Sequence, residues 1–201
     1  MRKIVDYYLS VASPWTFLGS ERFISMVRRT DAVVNVSPLD FSRLLAASGG
    51  LPYQQRSAQR ASYRQVDLAR WRDRLGIPLK LEPKFYPVDR EPGSRMVMAA
   101  ACELGQLAAL ELSHAVLRAI WQEDSDIANW PTLVAVAREA GFDGKALADA
   151  AQGPGMAQAW QRNTDRAIGA GVFGAPTWVV EGERFWGQDR LDFLEEKLTE
   201  E

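Results

Sequence analysis

The order of elements along the chain predicts an α/β fold, in which a β-α-β unit and a β-β-α unit form one domain interrupted by an all-helical insertion. Three observations lead there. Runs of β-branched and aromatic residues occur only near the two ends, helical spacing of alanine, leucine, arginine and glutamate fills the stretch between them, and a Ser-Pro helix start directly follows the first strand. At 201 residues the chain suits one domain, or one with a large insertion.

Residues Ile4 to Leu9 are too short for a helix and rich in strand formers, which predicts a buried first strand. Ser13-Pro14-Trp15-Thr16 then opens a helix running toward Arg29, serine being a favoured N-cap and proline a favoured first helical residue. Ala32 to Val36 reads as the second strand. From Phe41 to about Gly169 helices are predicted at 57–75, 93–104, 106–122, 130–140, 144–152 and 155–169, with Gly76, Gly105, Gly141 and Gly153 as stop signals. Pro83, Pro87 and Pro92 mark one irregular connection. Thr177 to Glu181 and Arg184 to Trp186 flank a glycine-containing turn and predict a hairpin, and Asp189 to Leu198 reads as a closing helix. The domain boundaries expected from this order are 1–40 with 170–201, and 41–169 for the insertion.

Composition narrows the functional classes. Hydrophobic residues at 47% and charged residues at 25% describe an ordinary folded, soluble chain. A net charge of -2 lacks the basic footprint that nucleic-acid binding usually needs, so no nucleic-acid partner is expected. One cysteine, Cys102, and one histidine, His114, provide neither an internal disulfide nor a zinc ligand set, and no acidic motif proposes another metal. No eighteen apolar residues run together, so no membrane association is expected and the cytoplasm is the expected location. Cys102 reads as core because its neighbours Met96 to Ala101 are apolar, and the seven tryptophans read as core and pocket walls.

Ser13 is the sharpest candidate for chemistry. A turn from strand to helix aims backbone N-H groups and the positive dipole end at one spot, where a serine either caps the helix or donates its hydroxyl to an anion. His114 sits among Leu112, Val116 and Leu117 and reads as a packed or surface histidine, which makes a Ser-His-Asp triad improbable. In Gly171-Val172-Phe173-Gly174-Ala175-Pro176-Thr177 the proline either is cis and exposes the backbone of Ala175 to an extended ligand, or is an ordinary trans residue. Asp189, within Trp186-Gly187-Gln188-Asp189-Arg190, either serves the helix dipole or reaches an ammonium group. Arg56, Arg60 and Arg64 are spaced by four, beside Tyr63 and Asp67, and form either a solvated face or a carboxylate receptor.

Together these stretches resemble the glutathione-dependent 2-hydroxychromene-2-carboxylate isomerases, close relatives of the kappa-class glutathione transferases. The resemblance covers nearly the whole chain and is carried by Asp6-Tyr7-Tyr8 with Ser13 to Leu18, by Tyr63 and Asp67 through Pro78, and by Gly171 to Thr177 with Gly182 to Leu191. It implies a thioredoxin-like domain split by a helical insertion, as in periplasmic disulfide oxidoreductases. Ser13 to Thr16 stands where those have Cys-x-x-Cys, so no redox dithiol exists here. The resemblance implies glutathione as cofactor, with Ser13 as the catalytic residue that hydrogen-bonds its sulfur and favours the thiolate. It also implies that Ala175, before a cis Pro176, pairs with the glutathione backbone. The segment Trp186, Gly187, Gln188, Asp189 and Arg190 would bind the cofactor, with Gln188 and Asp189 at its γ-glutamyl end. Arg60 would take a carboxylate, with Arg64 as alternate.

A small aromatic carboxylate is the implied substrate, met by Trp15, Gly50, Tyr63, Arg64, Tyr86 and Asp89, and a homodimer is the implied assembly. Two departures from the family pattern lie among these: Gly50 and Asp89 stand where the family commonly has asparagines. Besides the isomerase, a kappa-class-like transferase and a noncatalytic thioredoxin-like binding module remain open readings.

Overall fold

The computed structural model describes residues 2–200. Among these residues four strands form one sheet in the order β2-β1-β3-β4, with β1 at Ile4–Leu9, β2 at Val33–Pro38, β3 at Thr177–Val180 and β4 at Glu183–Trp186. β1 pairs with β2 in parallel and with β3 antiparallel, so the two chain ends meet in one sheet. Glu181 and Gly182 both have positive φ, 53° and 85°, the backbone that a tight two-residue hairpin turn between β3 and β4 needs.

Helix α1 (Pro14–Thr30) connects β1 to β2, capped by Ser13 and closed by Asp31 in the left-handed conformation. Its apolar face carries Phe17, Leu18, Phe23, Ile24 and Val27 into the core, where Phe23 and the stacked rings of Tyr7 and Trp178 lie 4.8–5.5 Å apart. Those three rings weld β1, β3 and α1 together.

The insertion holds α2 (Phe41–Ser48), α3 (Ala58–Leu75), α4 (Glu91–Glu103), α5 (Gln106–Trp121), α6 (Trp130–Glu139), α7 (Gly144–Ala151) and α8 (Met156–Gly169), and α9 (Leu191–Thr199) closes the chain. α4, α5 and α8 pack against β2, while α1 meets α3, α5 and α9. One cluster of buried side chains runs from Val5 and Tyr7 through Phe17 to Met96, Leu112, Val116 and Leu133, so sheet and insertion share a core. Such continuity gives the site on α1 a rigid floor. Among the described residues, no helix is long and apolar enough to cross a membrane.

Several expectations need correction. α2 has no counterpart in the sequence reading, although Asp40 caps it through a bond from Arg43 N-H and Gly49, at φ +73°, ends it. β2 starts and ends later than expected, reaching Pro38, and Pro92 lies in the first turn of α4, not in the loop before it. Cys102 is exposed, because the buried face of α4 is carried by Met96, Val97, Ala99 and Ala100 and the thiol points away from it.

Candidate functional site

The site is built at the start of α1. Ser13 has extended backbone angles (φ -82°, ψ 127°), and its Oγ accepts a bond from Thr16 N-H at 3.3 Å. As an acceptor in that bond, the hydroxyl keeps its own proton for another partner. Ser13 is half-buried and lines a cavity of about 290 Å³ together with Trp15, Phe41, Tyr53, Arg56, Arg64, Tyr86, Arg90 and Ala175.

Facing Ser13 is the cis bond between Ala175 and Pro176. Among the described residues neither the N-H nor the C=O of Ala175 has a backbone partner, which leaves both for an extended ligand. Pro176 C=O instead accepts from Gly187 N-H at 2.9 Å, so the cis turn and the Gly187 loop are held together. Gly187 has φ +98°, and a Cβ there would lie 2.5 Å from Asp189 Oδ1. Only glycine fits this turn.

That loop forms a second cavity, lined by Asp67, Trp71, Trp186, Gly187, Gln188, Asp189 and Arg190 and sharing Trp15 and Ala175 with the first. Asp189 pairs with Arg190 at 2.9 Å, and Trp186 is half-exposed, edge-on to Phe173. Gln188 is only 2% exposed; it packs over Gly19 and offers its carbonyls to Arg22, so its side chain is turned toward α1. Carboxylates thus gather at one arm of the groove.

Guanidinium groups gather at the other. Arg64 is 8% exposed and lies between two rings, 4.6 Å from the centroid of Tyr53 and 5.7 Å from that of Tyr86. Arg56 precedes α3 instead of continuing a helical stripe, and its Nε donates to Leu51 C=O at 3.1 Å. Arg60 is exposed and lines only a shallow outer surface with Tyr63, Arg56 and Arg64.

The sequence-derived residues therefore divide. Ser13, Trp15, Arg64, Tyr86 and Ala175 converge on the first cavity, and Trp186 to Arg190 on the second. Tyr63 and Arg60 stand on the rim. Gly50 lies outside both cavities, its N-H donating to Leu45 C=O at 2.9 Å. Asp89 is exposed and its carboxylate accepts from Glu91 N-H at 3.0 Å, at the start of α4, so it does not line the cavity that it would otherwise make more negative.

Tyr53, Phe41 and Arg90 escaped the sequence reading, while Trp71 was covered only by the reading of the tryptophans as core and pocket walls. Each comes from a separate element or connection and has no local pattern; the cis bond at Tyr86-Pro87 lies in the same irregular connection.

Neither remaining nucleophile competes. Cys102 lines a different cavity with Gln106, Arg162 and Arg166. His114 stacks on Phe17 and meets Ser20 Oγ through Nδ1 at 2.7 Å, while the Ser20 hydroxyl donates to Phe17 C=O at 2.8 Å. Ser20 therefore accepts from His114 and is not activated by it. Burial pushes the His114 pKa down.

The chain matches the model of the DSBA-like thioredoxin domain over residues 4–199. The 2-hydroxychromene-2-carboxylate isomerase of Sphingobium xenophagum is 29% identical over 201 residues, the full length of both chains. That of Pseudomonas putida is 27% identical over 198 residues, 97% of this chain and 94% of the relative. A solved 2-hydroxychromene-2-carboxylate isomerase structure superposes with a TM-score of 0.82 at 27% identity, covering 97% of this chain and 94% of its own.

Proposed function

The chain belongs to the DSBA-like thioredoxin domain family, among the 2-hydroxychromene-2-carboxylate isomerases and their kappa-class-like relatives, and on that premise we propose that it is a glutathione-dependent isomerase of a hydroxylated aromatic carboxylate. The observation that carries the proposal is Ser13, a hydroxyl with an uncommitted proton at a helix N-terminus, opposite the unpaired backbone of Ala175. No cysteine shares that cavity, so the chain itself brings no thiol to the reaction.

The residues present fit glutathione. Ala175 N-H and C=O suit the central peptide unit of an extended tripeptide. Asp67 and Asp189 suit the ammonium of its γ-glutamyl end, beside Gly187 and Gln188, and Arg60 on the rim suits the glycyl carboxylate. When bound there, glutathione would supply a thiolate that adds reversibly to a conjugated acid, turning a double bond into a single bond about which the substrate rotates before the sulfur leaves.

The chain's own part is to hold charge and shape. Ser13 Oγ-H, the Trp15 N-H left free among the described residues in the first turn and the dipole of α1 stabilise negative charge in front of the helix, and each unit of thiol pKa so lowered corresponds to about 1.4 kcal/mol. Arg64 receives the substrate carboxylate, while Trp15, Phe41 and Tyr86 wall in an aromatic ring. A homodimer in the cytoplasm completes the reading. Calorimetric titration with glutathione tests it: saturable binding, weakened by Asp189→Asn, is expected, and no heat of binding at millimolar glutathione would remove the proposal.

A further inference from the structure

Three guanidinium groups, of Arg56, Arg64 and Arg90, line the cavity in front of Ser13, and no carboxylate lines it. Among the described residues none of the three has an ion-pair partner. Arg64 matters most: at 8% exposure a guanidinium without a counter-charge is costly, and its Cζ lies within 4.6 and 5.7 Å of the ring centroids of Tyr53 and Tyr86. Arg56 has its Nε on Leu51 C=O, which leaves its two terminal nitrogens free, and Arg90 lies against the ring of Phe41, its Cζ 6.0 Å from the centroid. At about 290 Å³ the cavity is near the small end of ligand sites, about 300–1,000 Å³, so its occupant is compact.

We infer that the preferred substrate carries two acidic groups on one aromatic or conjugated frame, one received by Arg64 and the other shared by Arg56 and Arg90. The inference rests on the glutathione reading for its charge count: a thiolate at Ser13 cancels one of the three positive charges, and a dianion cancels the other two. A monocarboxylate, a hydroxychromene carboxylate included, leaves one cation unmatched, so it binds and turns over but less tightly than a dicarboxylate on the same frame. Planar, forked guanidinium groups suit paired carboxylates better than lysines would.

The test compares 2-carboxycinnamate with cinnamate, which share ring and double bond and differ by one carboxylate, titrated into the protein with and without saturating glutathione. Tryptophan fluorescence reads binding through Trp15, which lines the cavity. The dicarboxylate is expected to bind at least about tenfold more tightly than the monocarboxylate, a difference of about 1.4 kcal/mol. Arg64→Gln should abolish most of that ratio, Arg64→Lys should keep part of it, and Arg72→Gln, outside the cavity, should leave it unchanged. Equal affinities of the two acids for the wild type, no binding of either at millimolar concentration, or a ratio untouched in a folded Arg64→Gln protein would overturn the inference. A dicarboxylate preference that persists in a protein unable to bind glutathione would retain the two-charge pocket and remove the cofactor reading. Glutathione binding without that preference would do the reverse.

Discussion

Replacing Ser13 by alanine removes two interactions at once, and their magnitudes separate them. As an N-cap, Ser13 accepts from Thr16 N-H at 3.3 Å, a long bond, so its loss should cost about 0.5–1 kcal/mol, the lower part of the range for caps. For a domain of this length that lowers Tm by roughly 1–4 °C. As a donor to a bound thiolate, the same hydroxyl should contribute about 1.5–3 kcal/mol, the range for hydrogen bonds to charged groups. At about 1.36 kcal/mol per unit, the bound thiol pKa should rise by about 1–2 units in Ser13→Ala. It should not reach the free value, because the N-H groups of α1 remain. Ultraviolet thiolate absorbance of glutathione on the protein, followed against pH, measures the shift. Ser13→Asp is the companion variant: it caps the helix as well as serine does, so Tm should hold, while its carboxylate repels the thiolate and raises the pKa further. If Ser13→Ala lowers Tm but leaves the bound thiol pKa where it is in the wild type, Ser13 is a helix cap and nothing more.

Other expectations follow from packing and titration. Gly187→Ala forces a side chain into a backbone region reserved for glycine and against Asp189, so it should destabilise by about 1–3 kcal/mol and weaken glutathione binding; unchanged melting and binding would contradict the loop geometry. Tyr7→Phe should raise stability by about 0.5–2 kcal/mol, since the fully buried Tyr7 hydroxyl has no partner among the described residues; a lower Tm in thermal melts would mean that the hydroxyl is satisfied. His114 is the only histidine, and burial lowers its pKa in the folded chain. Its contribution to stability is therefore full above about pH 6.5, the unfolded value, and is lost as pH falls below it, because the unfolded chain then binds the extra proton. His114→Gln should flatten denaturation midpoints between neutral and mildly acidic pH, and an unchanged slope would refute this.

Most of the fold could be read because its signals are local. Ser13-Pro14 marks the start of α1, and Glu181-Gly182 supplies the positive φ angles of the last hairpin. The cis bond before Pro176 was one of two open readings and became an expectation only through the family resemblance. α2 was missed because eight residues show too little periodicity, even with Asp40 and Gly49 at its ends. Cys102 was misread because an apolar neighbourhood in sequence does not say which side of a helix faces the core.

The site was legible in part for the same reason. Ser13 and the Gly187 loop carry local signals at the ends of elements that the sequence marks, whereas Tyr53, Arg56 and Arg90 come from the connections before α3 and α4, which tertiary packing alone brings to the cavity. The spacing of Arg56, Arg60 and Arg64 suggested one helical face. The structure begins α3 at Ala58, places Arg64 inside the cavity and leaves Arg60 on the rim.

The central claim, that the chain uses a glutathione thiol and returns it, is tested most directly by following 2-hydroxychromene-2-carboxylate by absorbance, with and without glutathione, while free thiol is titrated in the same mixture. The account predicts turnover only when glutathione is present, with free thiol constant throughout. Turnover without glutathione, or steady loss of thiol into a conjugate with no isomerised acid formed, would contradict it.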